Sequence, residues 1–304
     1  MASCRPFAAV VALLLCACSG GGGVVVDPSR PETAPDIAEG RRLFLATCAG
    51  CHGARGDGSG EAAEGLFPPP RNLTRGEFRF RSTASGTLPT RADLQRSIAL
   101  GLPGSAMPGW RDQLSENQIA SLVLFLETLS PRFAEEQRLP EDVLLPADIS
   151  PVAATPALIT QGKALYVKMG CGECHGAEGR GDGKAAAEAK NSDGTHSHVF
   201  DFTYGIYKGG SSPIDVYRTF VTGLDGAPMP SFDQSLPGEQ DRWALVAYVL
   251  SLGRSRGVAF YLSERPTWRE PMTDPAPYTP KLGAAAPARP ATGSPAETPA
   301  AEGW

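Results

Sequence analysis

The sequence predicts an all-α protein made of two tandem copies of one helical unit, and three observations carry that prediction. First, Gly40 and Phe44, and again Gly162 and Tyr166, stand four residues apart shortly before a Cys-x-x-Cys-His pentapeptide; residues at i and i+4 share one face of a helix. Second, each half ends in an apolar stretch of helical period, Asn117 to Leu129 with Phe125 and Asp241 to Leu252 with Tyr248. Both are expected as terminal amphipathic helices. Third, Asp93-Leu94-Gln95-Arg96, Gly101-Leu102 and Ala106-Met107-Pro108 are matched by Asp215-Val216-Tyr217-Arg218, Gly223-Leu224 and Pro228-Met229-Pro230, all at one interval of 122 residues. A fixed interval marks a repeated unit. The chain's 304 residues, 41% of them apolar and 20% charged, suffice for two ordinary domains.

At the N-terminus, Arg5 is followed by small and apolar residues from Pro6 to Ala17. The run is too short for a permanent span and reads as an export signal. Its end, Leu15-Cys16-Ala17-Cys18, resembles the lipobox of bacterial lipoproteins. That resemblance implies cleavage after residue 17 and a lipid on Cys18; a plain secretory signal is the other reading, and both export the protein. Residues 18–35, rich in Gly and then Pro-containing, are expected to be a flexible tether. No later stretch reaches about 18 unbroken apolar residues, so the folded part is expected to be at most anchored to a membrane.

Seven cysteines are present, and their spacing is not that of a disulfide scaffold: Cys4, Cys16 and Cys18 fall in the leader, and the other four form the isolated pairs Cys48/Cys51 and Cys171/Cys174. Each pair is followed at once by a histidine, His52 or His175. Cys-x-x-Cys-His is the signature of covalent haem c attachment. Two thiols at that spacing reach the two vinyl groups on one porphyrin edge, and the adjacent histidine falls beneath the iron. A redox dithiol or half of a zinc site would also use a Cys-x-x-Cys pair, but zinc lacks further cysteines here and a dithiol does not account for two histidines. After the pairs, Gly56-Asp57-Gly58 and Gly181-Asp182-Gly183 read as matching turns.

Together these residues resemble two tandem class I cytochrome c domains joined by a Pro-rich linker. In that family an N-terminal helix with a glycine and an aromatic crosses a C-terminal helix with another aromatic. The matching positions are Gly40, Phe44 and Phe125, then Gly162, Tyr166 and Tyr248. The resemblance implies two covalently attached haem c groups, with His52 and His175 as proximal ligands. It implies a methionine followed by proline as sixth ligand, which maps onto Met107 and Met229. Met1, Met169 and Met272 lie in the leader, two residues before Cys171 and in the C-terminal tail. Core filling is a methionine's commonest use; two Met-Pro loops at one repeat interval weigh against it here. The expected division is 1–17 signal, 18–35 tether, 36–130 first domain, 131–157 linker, 158–256 second domain, and a largely disordered Pro/Ala-rich extension over 257–304.

A haem iron with His and Met on its two axial positions exchanges electrons without an open coordination site. The expectation is therefore a non-enzymatic dihaem electron carrier, lipid-anchored on the periplasmic or outer side, serving respiratory redox proteins. A net charge of −5 argues against nucleic acid as a partner, and no small-molecule substrate is expected. The alternatives are a dihaem cytochrome c peroxidase-like enzyme, for which His196 and His198 are candidate distal or metal-binding groups, and the haem subunit of a larger respiratory oxidoreductase. A solvated loop is the plainer account of that histidine pair. Arg71, Arg75, Arg79 and Arg81 are candidates for holding haem propionates or a docking partner. Positive and negative side chains number 10 and 10 over residues 36–130 and 10 and 11 over 158–256, so strong electrostatic steering is not expected.

Overall fold

Helix starts are written into the sequence as capping residues. In the computed structural model, which describes residues 34–145, 148–236 and 238–253, α1 (Ile37–Leu43) begins at Asp36, whose carboxylate accepts from the N–H groups of Ala38 (2.8 Å) and Glu39 (3.3 Å). The expected signal at 1–17, Cys18 with most of the tether, and the expected extension at 257–304 lie outside the described residues. A π-helical turn, Phe44–Cys48, leads from α1 into the short α2 (Ala49–His52). Reciprocal Ser/Thr-to-N3 capping boxes open α3 (Arg91–Leu100, Thr90 with Asp93) and α4 (Glu116–Glu127, Ser115 with Gln118). A turn of helix, α5 (Arg132–Glu135), follows.

The second half repeats the order. Helix α6 (Pro156–Lys168) starts at Thr155 with proline in its first turn, α7 (Gly172–His175) is short, α8 (Pro213–Thr222) opens with a Ser212/Asp215 capping box, and α9 (Glu239–Leu252) closes the unit. Among the described residues there are no strands, only the isolated bridges Thr83 to Val143 and Lys190 to His196.

Helix α1 crosses α4, and α6 crosses α9. The crossings are close because each has a glycine at the contact: a Cβ on Gly40 would run into the carbonyl oxygen of Ser121, and one on Gly162 into that of Ala244. The aromatics one turn later then meet, Phe44 with Phe125 and Tyr166 with Tyr248, both at 5.2 Å between ring centroids. Beneath them lie two cores, one around Leu43, Leu94, Leu122 and Val123, the other around Val221, Leu236, Trp243 and Val246.

One sequence expectation needs correction. Helix α4 buries one face, but α9 is buried at every position from Trp243 to Val249, so it is not amphipathic over that stretch. The reason is tertiary: α6, α8 and the 3₁₀ turn Phe202–Tyr204 all pack on it. The segment between the halves is a strap along the first domain. Leu144 N–H donates to Ser82 O (2.9 Å) and Ala84 N–H to Asp142 O (2.7 Å), while Leu144 and Ile149 reach the second core.

The halves are clasped by arginines. Arg81 is wholly buried; it donates to Thr222 O (2.9 Å) and Gly223 O (3.4 Å) and lies 2.8 Å from the Asp225 carboxylate. Arg96 donates to Gly209 O (2.8 Å) and pairs with Asp215.

Candidate haem centres

Each Cys-x-x-Cys-His sits on a one-turn helix, α2 or α7, with both thiols half-buried and unpaired in either half. Burial pushes the Cys48 thiol up, and that of Cys171 up to about 11. Loop glycines hold the motifs through their backbone: Gly58 N–H donates to His52 O (2.8 Å) and Gly60 N–H to Cys51 O (3.2 Å), while Gly181 and Gly183 do the same to His175 O (2.9 Å) and Cys174 O (3.1 Å). These bonds correct the matching of the turns. Gly58 corresponds to Gly181, not Gly56, and Asp57 is not the counterpart of Asp182. Hydrogen-bonding role, rather than the Gly-Asp-Gly string, sets the register.

The register itself shifts along the chain. Phe44 and Cys48 are four residues apart, Tyr166 and Cys171 five. The first half absorbs its shorter spacing in the π-helical turn; the second ends α6 at Lys168 and turns at Gly170, with φ 72°.

Both proximal histidines are supported in one way. His52 Nδ1 is 3.1 Å from Arg71 O and His175 Nδ1 is 3.2 Å from Phe200 O. A carbonyl only accepts, so each Nδ1 carries the proton and each Nε2 keeps a lone pair for a metal. Burial, chiefly, pulls both imidazoles below the usual histidine range, with the bonded carbonyl opposing. The neutral form that results is the ligating one. Phe202 stacks on His175 at 4.2 Å. The sequence singles out Arg71 only for its side chain and Phe200 not at all, because both act here through main-chain oxygens, which leave no side-chain signature.

Met107 and Met229 occupy equivalent half-buried loops hung from the ends of α3 and α8. Leu102 N–H donates to Met107 O and Leu224 N–H to Met229 O, each at 3.1 Å. The glycines that stop these helices, Gly101 and Gly223, have φ of 66° and 69°. A Cβ on either would meet the following Met-Pro backbone. That contact explains why Gly-Leu and Met-Pro recur together in both halves.

His196 and His198 are exposed on a loop, His198 edge-on to Phe67 at 5.2 Å. Among the described residues no group of three His, Cys, Asp or Glu side chains could hold a metal ion.

A porphyrin attached through two thioethers fits what is present: paired half-buried thiols, an imidazole nitrogen left for iron beside them, and a buried Arg79 Nε with no hydrogen-bond partner, a donor in want of an anion.

Comparison with known proteins points the same way. The cytochrome c family model matches twice, at residues 37–130 and 159–253. The chain is 28% identical over 208 residues to the cbb3-type cytochrome c oxidase subunit CcoP of Helicobacter pylori, covering 66% of this chain and 59% of that protein. It is 30% identical over 99 residues to the cbb3-type oxidase subunit FixP of Azorhizobium caulinodans, covering 33% and 29% respectively. It thus spans less than two thirds of these relatives. A solved chain of the reducing HAO-like protein complex of Kuenenia stuttgartiensis matches with 42% identity and a TM-score of 0.68, over 73% of this chain and 99% of that one.

Proposed function

The chain belongs to the cytochrome c family in both of its halves, and on that premise we propose that it is a dihaem electron-transfer protein passing single electrons between respiratory redox partners outside the cytoplasmic membrane. Covalently bound haem c is the family's cofactor, and it supplies the one-electron iron couple. The observation that carries the proposal is the duplicated constellation: a histidine whose Nδ1 is fixed on a main-chain carbonyl, and a Met-Pro loop anchored identically, once in each half.

In this proposal Cys48, Cys51, Cys171 and Cys174 would form the thioethers, and His52 with Met107 and His175 with Met229 would hold the two irons. The carbonyls of Arg71 and Phe200 orient the imidazoles and make them better donors. Methionine sulfurs on the iron would favour the reduced state and raise the potential. A histidine and a methionine held at each iron would leave no site for a substrate, as suits a carrier rather than a peroxidase. The likeness to a chain of a multi-protein complex supports the further reading that this carrier works as a subunit of a larger assembly.

The domain division given above, with a lipid on Cys18 as membrane anchor, belongs to the same proposal. Among the described residues no helix is long and apolar enough to cross a membrane. Replacing Met107 or Met229 by Ala tests the ligand set. Each variant is expected to bind carbon monoxide at one haem and to lower one potential, and unchanged spectra and potentials in both would refute it. Rapid peroxide turnover by the half-reduced wild-type protein would favour the enzyme instead.

A further inference from the structure

The two methionine loops share one backbone turn but are fastened differently. At the repeat interval, Leu102-Pro103-Gly104-Ser105-Ala106-Met107 answers to Leu224-Asp225-Gly226-Ala227-Pro228-Met229. Gly104 and Gly226 turn alike, with φ of 73° and 71°. In both loops the residue after that glycine donates its N–H to the leucine carbonyl, Ser105 to Leu102 O (3.0 Å) and Ala227 to Leu224 O (2.9 Å). The side chains that fix the turn differ. In the first loop Ser105 Oγ donates to Leu102 O (2.7 Å) and accepts from the N–H of Met107 (3.3 Å), while Pro103 restricts its own φ. That loop closes on itself. In the second, Ala227 has no hydroxyl to do this, and an aspartate, Asp225, replaces the proline.

Asp225 reaches the first half instead. Its carboxylate lies 2.8 Å from the Arg81 guanidinium and accepts from Ser85 Oγ (3.0 Å) and the N–H of Gly86 (3.1 Å). Arg81 extends the grip to the start of the loop, donating to Thr222 O (2.9 Å) and Gly223 O (3.4 Å). One residue on, the backbone of Gly226 comes so close to the first half that a Cβ there would lie 2.7 Å from Glu77 Oε2 and 3.0 Å from Arg71 Nη1. The reverse approach is looser: a Cβ on Gly104 would make an ordinary van der Waals contact, 3.8 Å from Ile206 Cγ2 of the second half.

We propose that Asp225 is a positioning residue for Met229: the first half of the chain, through Arg81, Ser85 and Gly86, sets the loop that carries the sixth ligand of the second centre. The proposal rests on the dihaem reading above but concerns residues outside the ligand set. A ligand on a loop keeps its place only as well as the groups behind it are fixed. Met107 depends on its own turn and Met229 on the seam between the halves. Loosening the seam would therefore release Met229 and leave Met107 in place, so that the second centre alone would open to an added ligand.

The test uses the full haem-loaded protein. Proton NMR of its reduced form reads each iron-bound methionine as a separate, strongly upfield methyl signal, while redox titration and carbon monoxide binding report the open centres. In Asp225→Ala one methyl signal is expected to broaden or vanish, one of the two potentials to fall, and carbon monoxide to bind at one haem of the two. The double change Asp225→Pro/Ala227→Ser copies the first loop onto the second. It should bring the lost signal back and abolish carbon monoxide binding although Arg81 still lacks its carboxylate, a recovery that a merely structural role would not give. Two unchanged methyl signals and potentials in Asp225→Ala would overturn the assignment, and so would equal loss at both centres or failure of the double change to restore ligation. Should Asp225→Ala not accumulate, Asp225→Asn keeps the shape and removes the charge facing Arg81; selective weakening of one signal is expected there, and an unchanged pair of signals would overturn the proposal equally. Absence of two upfield methyl signals in the wild-type protein would refute the methionine ligands themselves, a failure distinct from that of Asp225.

Discussion

Replacing Arg81 by Met should loosen the clasp between the two haem domains more than any other single polar substitution at the seam. The guanidinium is fully buried and its donors are divided across the junction, with Phe78 O (3.3 Å) and Ala84 O (3.3 Å) on one side and Thr222 O, Gly223 O and the Asp225 carboxylate on the other. Asp225 keeps the N–H of Gly86 (3.1 Å) and Ser85 Oγ (3.0 Å), but its side chain is only 9% exposed and water cannot replace the lost cation. Methionine fills similar length with no donor. Removing one partner of a buried pair costs about 3–5 kcal/mol, and for a unit of this size each kcal/mol moves the melting point by ~2–4 °C. A fall of roughly 6–20 °C is expected in thermal unfolding of the haem-loaded protein followed by circular dichroism. The double variant Arg81→Met/Asp225→Leu should lose less than the sum of its parts by ~0.5–3 kcal/mol, because it leaves no charge buried alone. A loss below about 1 kcal/mol for Arg81→Met, the size expected of a solvated arginine, would show that the clasp does not hold the halves together.

Two further predictions follow from the packing and the thiols. Gly40→Ala and Gly162→Ala each force a methyl onto a backbone carbonyl, of Ser121 or Ala244, that cannot rotate aside; each should cost about 3 kcal/mol or more, read as a melting-point drop with loss of the near-ultraviolet signal of the aromatic pair, and wild-type stability would refute the tight crossing. A maleimide applied to the unfolded mature protein should label no cysteine when both haems are attached, since Cys48, Cys51, Cys171 and Cys174 would be thioethers and Cys18 acylated. Peptide mapping of any labelled residue would identify the assignment that fails.

Local chemistry was legible from the start. The Cys-x-x-Cys-His pairs and the glycine-aromatic pairs of the crossing helices depend on neighbours within a few residues, so the linear chain displays them. The repeat of Met107 at Met229 was equally visible, because both loops must clear the same helix-ending glycine. Main-chain partners were not: nothing in the side chains of Arg71 or Phe200 announces a carbonyl aimed at a histidine.

The sequence by itself determined the family, the covalent attachment chemistry and the duplication, all of which are written in residue type and spacing. Only the tertiary structure decided that α9 is buried at every position from Trp243 to Val249, and that Arg79 and Arg81 reach from the first half to Asn191 and Thr222 of the second. Residues more than a hundred positions apart must first be folded together before their donors and acceptors can meet. Contacts of that range depend on the packing of whole helices, which no local pattern encodes.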